Sequence, residues 1–236
     1  VRRIRHGPWH ARLRIVIFDV DGVLVDVRGS FLKSILDTVH SFTGRRFRRA
    51  DIMRWKRRSG FNDDWKLSTV WINSLGVRVA YAEVKARFQE FYWGTNGRRP
   101  NVEFERWLVP PRVLRQLEKH AELNVFTGRT RNELRHTFER FDAYRYFRRI
   151  VTMDDVPRLK PHPDGLLKIL RGRNPASALY LGDNVDDALA ARAAGVPFVG
   201  VLPRGSLARR ALAPSLRAAG ALAILHSAAD LEARFD

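Results

Sequence analysis

Short apolar runs that stop abruptly at a turn or a polar residue recur along the second half of this chain, and they constrain its fold more than any other feature. They fall at 123–127, 150–153, 179–183, 198–202 and 222–225, and segments of helical periodicity separate them from residue 113 onward. That alternation argues for an α/β protein with a parallel, doubly wound sheet. An earlier run, Arg14-Ile15-Val16-Ile17-Phe18, is rich in branched residues and ends in Asp19-Val20-Asp21-Gly22. It reads as a further buried parallel strand of the same Rossmann-like core.

Between residues 27 and 107 the pattern changes. Apolar residues repeat at helical spacing over 30–40 (Phe31, Ile35, Leu36, Val39), 65–75 (Leu67, Val70, Trp71, Leu75) and 81–92 (Val84, Phe88, Phe91, Tyr92). No strong strand pattern interrupts them. The expectation is an inserted all-helical cap domain over 27–107, with the core formed by 1–26 and 108–236. The stretch 95–101, Thr-Asn-Gly-Arg-Arg-Pro-Asn, reads as a loop leading back to the core.

The residues that end the strands carry the chemistry. Residues i and i+2 of a strand share a side, so Asp19 and Asp21 can serve one small volume while Gly22 lets the backbone turn away. In open α/β sheets ligands bind beyond the carboxyl ends of the strands, where both aspartates project. Two carboxylates there repel unless a cation or a shared proton intervenes, and a hard, oxygen-seeking Mg²⁺ suits them. A second acidic pair follows the run at 179–183: Asp183 ends it, and Asp187 falls in the first turn of a helix starting near Val185. Thr127 offers a hydroxyl at another strand end, Gly128 permits close approach of a backbone N–H, and Lys160, in Lys160-Pro161-His162-Pro163, supplies a full positive charge. Such groups suit an incoming phosphate.

These four signatures, their order and their placement at successive strand ends resemble the haloacid dehalogenase superfamily, in particular the subfamily IA phosphatase-like branch with a helical cap of the C1 type. The resemblance covers nearly the whole chain. It implies that Asp19 is a nucleophile that becomes phosphorylated, and that Asp21 protonates the leaving alcohol and then activates water. Thr127, Gly128 and Lys160 would hold the phosphoryl group. Mg²⁺ would sit on Asp19, the main-chain carbonyl of Asp21, and Asp183, with Asp187 behind them. The implied function is a Mg²⁺-dependent phosphomonoesterase for a small organic phosphate. A phosphomutase, and a nucleic-acid-binding or end-processing phosphatase using the basic cap, are the alternatives.

Asp21, Asp183 and Asp187 argue against a metal-free dehalogenase. Arg129 and Asn184 depart from the commoner wording of the branch, where an Asn often follows the hydroxyl residue directly and Ser or Thr stands at the second position. The wording around Asp19–Ser30, Phe61-Asn62-Asp63-Asp64-Trp65, Thr127–Arg131 and Val185-Asp186-Asp187 is similar to a small subgroup, some of whose members are associated with histidine-pathway genes.

The chain has 236 residues, of which 45% are hydrophobic, enough for one sizeable core and a smaller satellite. It has no cysteine, which excludes disulfides, thiol nucleophiles and thiolate metal sites. No apolar run approaches the roughly 18 residues needed to span a bilayer, and residues 1–9 lack the apolar stretch of a secretory signal. The expectation is a soluble, cytoplasmic protein.

The formal net charge is +18, and with 7 Lys among the 43 basic residues, 43 − 7 = 36 are Arg. Arg dominance beside abundant Ala reads in part as coding bias. The competing reading is a polyanion-binding patch at Arg45-Arg46-Phe47-Arg48-Arg49 and Arg54-Trp55-Lys56-Arg57-Arg58, with Trp55 available for stacking. Arg57, Asn62 and Asp64 are the cap residues expected to select substrate, because a polar loop meets a helix start there. Trp65, Trp71, Phe88 and Trp93 are expected in the cap core. Asp26 is expected to be structural, Asp186 a solvated neighbour of Asp187, and His162 a spectator.

Overall fold

The structure is a computed structural model that describes residues 13–234 apart from Asn96. The reading of residues 1–9 therefore lies outside the described residues. The chain divides into two compact units, one made of residues up to 25 together with those from 107 onward, the other of 26–106.

The first unit is built on six parallel strands: β1 (Ile15–Phe18), β4 (Glu122–Phe126), β5 (Arg149–Val151), β6 (Ala178–Gly182), β7 (Phe198–Val201) and β8 (Ala223–Leu225). Their order in the sheet is β5-β4-β1-β6-β7-β8. β1 lies between β4 and β6, and the chain winds outward from it first in one direction and then in the other. Phe18 is level with Val125 on one side and with Leu181 on the other. The residues that follow these positions therefore emerge side by side at the switch point, where an open sheet leaves a crevice.

β1, β6 and β7 are buried along their whole length, as runs without polar alternation require. Helices α5 (Pro111–Glu118), α6 (Arg131–Arg140), α7 (Asp164–Leu170), α8 (Val185–Ala194) and α9 (Leu207–Ala218) connect the strands. α6 starts with a capping box in which Thr130 and Glu133 satisfy each other's backbone N–H groups. α8 is packed nearly all round through Val185, Ala188, Ala190, Ala191 and Ala194, whose small side chains allow close approach.

The second unit is helical: α1 (Phe31–Thr43), α2 (Arg49–Lys56), α3 (Asp64–Ser74) and α4 (Tyr81–Trp93). α1, α3 and α4 bury Phe31, Trp65 and Phe88 together, with Phe31 4.6 Å from Tyr92 and 5.9 Å from Phe88 between ring centroids. Burying each such ring stabilises by about 1.5–3 kcal/mol. Trp71 is buried as well, whereas Trp93 is only half-buried. Asp63 caps α3, accepting the N–H groups of Trp65 and Lys66.

Two features differ from the sequence reading. The stretch 49–56 is a helix, hidden because only Ile52 and Met53 face its core. Asn101, placed in a loop, is buried and donates to Ser34 and Asp37, each at 3.1 Å. A separate two-stranded sheet pairs β2 (Val25–Asp26) with β3 (Arg106–Trp107).

Candidate active site

Asp19 follows β1 directly, its N–H donating to the carbonyl of Leu181 at 2.8 Å, so the sheet ladder fixes its backbone. Its carboxylate is buried and accepts a bond from Lys160 Nζ at 3.0 Å. The same ammonium lies 2.8 Å from Asp187 Oδ1 and donates to the Phe126 carbonyl at 3.1 Å. The Lys160 ammonium also lies over the rings of Phe126 and Tyr180, 4.7 and 5.4 Å from their centroids. Gly165 makes room for this packing, since a Cβ there would fall 2.1 Å from the Phe126 ring.

Asp187 anchors the cluster. Oδ1 receives Lys160 and the Tyr180 hydroxyl, each at 2.8 Å. Oδ2 accepts the N–H groups of Asp183 at 3.2 Å and Asn184 at 3.0 Å, a capping box that shapes the β6–α8 turn. Asp183 sits on that turn against Gly22, where a Cβ would stand 2.1 Å from its Oδ2. Glycine at residue 22, with φ of +76°, is thus required twice: by the backbone and by the carboxylate it admits.

Carboxylate oxygens of Asp19, Asp183 and Asp187 all lie within 4.8 Å of one another. Burial, the largest influence, pushes the Asp19 carboxyl up to about 7; Lys160 opposes this, and Asp187 and Asp21 add to it. Burial alone would lower the Lys160 pKa, yet the charges of Asp187 and Asp19 outweigh it and raise the value. The Tyr180 hydroxyl is raised by burial and then by Asp187. A site that presents three hard oxygen donors and disfavours its own ionised carboxylate fits a divalent cation, whose charge reverses that balance. Asp19 and Asp183 are the two that could serve as ligands, because both oxygens of Asp187 already hold protein donors.

Thr127 is buried at the end of β4, its N–H bonded to the Val151 carbonyl at 3.0 Å and its hydroxyl accepting the Arg129 N–H at 3.1 Å. Gly128 lies half-buried between them. Asp21, 30% exposed at its side chain, is held by Arg129, whose Nε and Nη2 stand 2.8 and 2.7 Å from Oδ1. Arg129 carries no role in the sequence reading, where it is only a departure in wording. Tyr180 is a second omission, being a single hydroxyl inside an apolar strand.

The structure also corrects one expectation and places several other residues. Asp186 is not solvated but fully buried, because the first turn of α8, Val185 to Ala188, is buried throughout. Trp55 is half-buried, T-shaped against Phe61 at 5.2 Å and 6.2 Å from Trp71, with the Arg58 guanidinium 5.7 Å over its ring. Asp64 is committed to Lys56 at 2.5 Å, both side chains being 13% exposed. Arg57 is exposed at the end of α2 and Asn62 is half-buried; both belong, with Asp64, to the helical unit. His162 is exposed, and Asp26 pairs with Arg28 at 2.6 Å.

The site is thus a cluster of aspartates around a buried lysine, set at the switch point of a parallel sheet in a chain that also carries a helical insertion. Residues 110–201 match the family model for haloacid dehalogenase-like hydrolases. Through that segment and its relatives the chain is similar to haloacid dehalogenase-like hydrolases, subfamily IA members and phosphatases among them.

Among relatives, an imidazoleglycerol-phosphate dehydratase of Phytophthora nicotianae is 29% identical over 216 residues, covering 88% of this chain and 47% of the relative. The chain thus spans about half the length of that protein. Pyrophosphatase PpaX of Bacillus cereus is 24% identical, over 80% of this chain and 83% of the relative. A solved subfamily IA hydrolase from Geobacter sulfurreducens is 28% identical, with 80% of this chain and 89% of that one aligned at a TM-score of 0.54. Among the described residues no helix is long and apolar enough to cross a membrane.

Proposed function

We propose that this chain is a Mg²⁺-dependent phosphomonoesterase that hydrolyses a small organic phosphate through a phosphoaspartyl intermediate on Asp19. The observation that carries the reading is the buried contact of Lys160 with both Asp19 and Asp187 beside Asp183. A buried lysine there holds the nucleophilic carboxylate in place and offers charge to the incoming phosphoryl group. Asp19, Asp183 and the main-chain carbonyl of Asp21 are the groups that would hold Mg²⁺, with Asp187 supporting them; when bound, the ion supplies positive charge to phosphate oxygens and to Asp19.

Asp19 attacks phosphorus while the bond to the leaving oxygen breaks, and Asp21 delivers the proton that oxygen needs. Water then attacks the phosphoaspartyl group, giving its proton to Asp21 and releasing inorganic phosphate. Thr127 and Gly128, at the end of β4, hold the phosphate oxygens. Arg57, Asn62 and Asp64 are assigned to substrate selection in the helical unit.

The test is phosphate release with Mg²⁺ from a panel of histidinol phosphate, phosphoglycolate, sugar phosphates, nucleotides and pyrophosphate. The last is included because a relative is a pyrophosphatase. Turnover on at least one compound, lost in Asp19→Asn, is the expected result. An Asp19→Asn protein with near-native turnover would overturn the assignment of the nucleophile, and an isomeric sugar phosphate in place of free phosphate would make the chain a mutase.

A further inference from the structure

The geometry points to Arg129 as the positioning residue of the proton-transfer step: it fixes the Asp21 carboxylate by one oxygen, so that the other oxygen alone exchanges protons with the leaving group and with water. The inference rests on the hydrolase reading above and adds to it the group on which the acid depends.

The Arg129 guanidinium is fully buried, its side chain 0% exposed. Removing a guanidinium from water costs several kcal/mol unless its N–H groups are used. Here they are spent in a particular way. Nε and Nη2 both address Asp21 Oδ1, at 2.8 and 2.7 Å, and Nη1 donates to Thr137 Oγ1 at 2.5 Å. The Thr137 hydroxyl donates in turn to the Glu133 carbonyl at 3.2 Å, one turn earlier in α6. The main chain of Arg129 is pinned as well, by its N–H to Thr127 Oγ1 and its carbonyl to the Met153 N–H at 3.1 Å each. A rigid arm therefore runs from α6 and the end of β4 to a carboxylate 108 residues earlier in the chain.

Asp21 needs such an arm. Its side chain is 30% exposed, whereas that of Asp19 is 6% exposed and already fixed by Lys160. A carboxylate that must give a proton to a leaving oxygen and take one from water has to present the same atom in both steps. With Oδ1 occupied by two N–H groups, which have no lone pair to accept a proton, Oδ2 is that atom. Two N–H bonds converging on one oxygen from a planar, buried guanidinium also hold that oxygen more firmly than a single bond from a lysine would.

In the first step the P–O bond to the leaving group breaks, its electron pair stays on the leaving oxygen, and the proton on Oδ2 neutralises it. In the second, a water proton returns to Oδ2 as the P–O bond to Asp19 breaks. General-acid assistance of this kind is worth on the order of 10²–10⁴-fold, and it matters most where the leaving oxygen is a poor one.

Leaving-group dependence separates positioning from mere support. Single-turnover release of the leaving group is measured for β-glycerophosphate, whose alkoxide requires a proton, and for 2,4-dinitrophenyl phosphate, whose phenolate does not. Arg129→Met is expected to slow release from the alkyl ester by about 10²-fold and from the aryl ester by less than about 5-fold, while Arg129→Lys recovers about tenfold of the alkyl rate. Thr137→Val keeps the guanidinium and removes its far support; it is expected to show the same selective loss, reduced in size, and stands in if Arg129→Met does not fold. Equal slowing of both esters in whichever variant folds overturns the positioning role and leaves the hydrolase reading intact. Wild-type protein inert towards both esters and towards the whole phosphate panel overturns the hydrolase, and this inference with it.

Discussion

Replacing Lys160 by Met isolates the electrostatics of the buried cluster. The flexible thioether side chain is close to the lysine stem in length, so the space is largely filled while the ammonium over the Phe126 and Tyr180 rings is lost. What remains is two carboxylates, Asp19 at 6% and Asp187 at 0% side-chain exposure, without the cation that stood 3.0 and 2.8 Å from them. Deleting one partner of a buried ion pair costs about 3–5 kcal/mol, because the other charge is left in a poorly solvating site. At about 2–4 °C per kcal/mol for a chain of this size, the melting temperature should fall by roughly 6–20 °C.

The assay is urea and thermal unfolding followed by tryptophan fluorescence, with EDTA present so that no metal replaces the missing charge. Adding Asp187→Asn to Lys160→Met should recover stability, since it removes one of the two stranded charges, with a coupling of about 0.5–3 kcal/mol. A loss below about 1 kcal/mol for Lys160→Met, or an Asp187→Asn substitution whose own cost adds in full, would refute the claim that these charges depend on each other.

Gly22→Ala should destabilise the sheet unit by about 1–3 kcal/mol, because its Cβ would meet Asp183 Oδ2 at 2.1 Å from a backbone φ of +76°; Mg²⁺-induced stabilisation, measured by thermal shift, should weaken with it, and an unchanged Mg²⁺ response would contradict the placement of Asp183. Glu122 receives Arg173 at 3.1 Å with Arg149 and Arg148 nearby, and although burial works to raise its carboxyl, hydrogen bonds from Arg173 and Asn124 and the charges of Arg173 and Arg149 together hold it below the ordinary 4.5. A depressed folded value contributes stability above the unfolded pKa and loses it as pH falls through the folded one. Glu122→Gln should therefore show a deficit of about 1 kcal/mol at pH 7 that closes as pH drops below 4.5. A deficit independent of pH would assign it to packing instead.

The parts of this molecule that could be read from sequence are those whose cause is local. β1, β6 and β7 are legible because burial on both faces leaves an unbroken apolar run. Asp19, Thr127 and Asp183 are legible as candidates because each directly follows such a run. Helix α2 is obscured, since one stripe of Ile52 and Met53 among arginines leaves no periodicity to count. The burial of Asp186 depends on how closely the alanines of α8 let their neighbours approach, which spacing along one helix does not reveal. Arg129 is the clearest case: one arginine among 36 gives no local sign that its partner lies at residue 21.

The position of β1 at the centre of the sheet bears on how the chain acquires its activity. Lys160 and Asp19 are separated by 141 residues, and Arg129 and Asp21 by 108, so no contiguous fragment of local structure contains a working cluster. Closing such long loops costs entropy before any contact repays it, which makes parallel pairings of this kind slow to form. During synthesis the first aspartates are made long before the lysine that will hold one of them. Until β6 docks beside β1, the buried carboxylates lack Asp183 and the turn that orders Asp187. On the proposed function, Mg²⁺-dependent turnover measured during refolding is expected to appear no earlier than the docking of β6 beside β1, later than the bulk of the secondary structure.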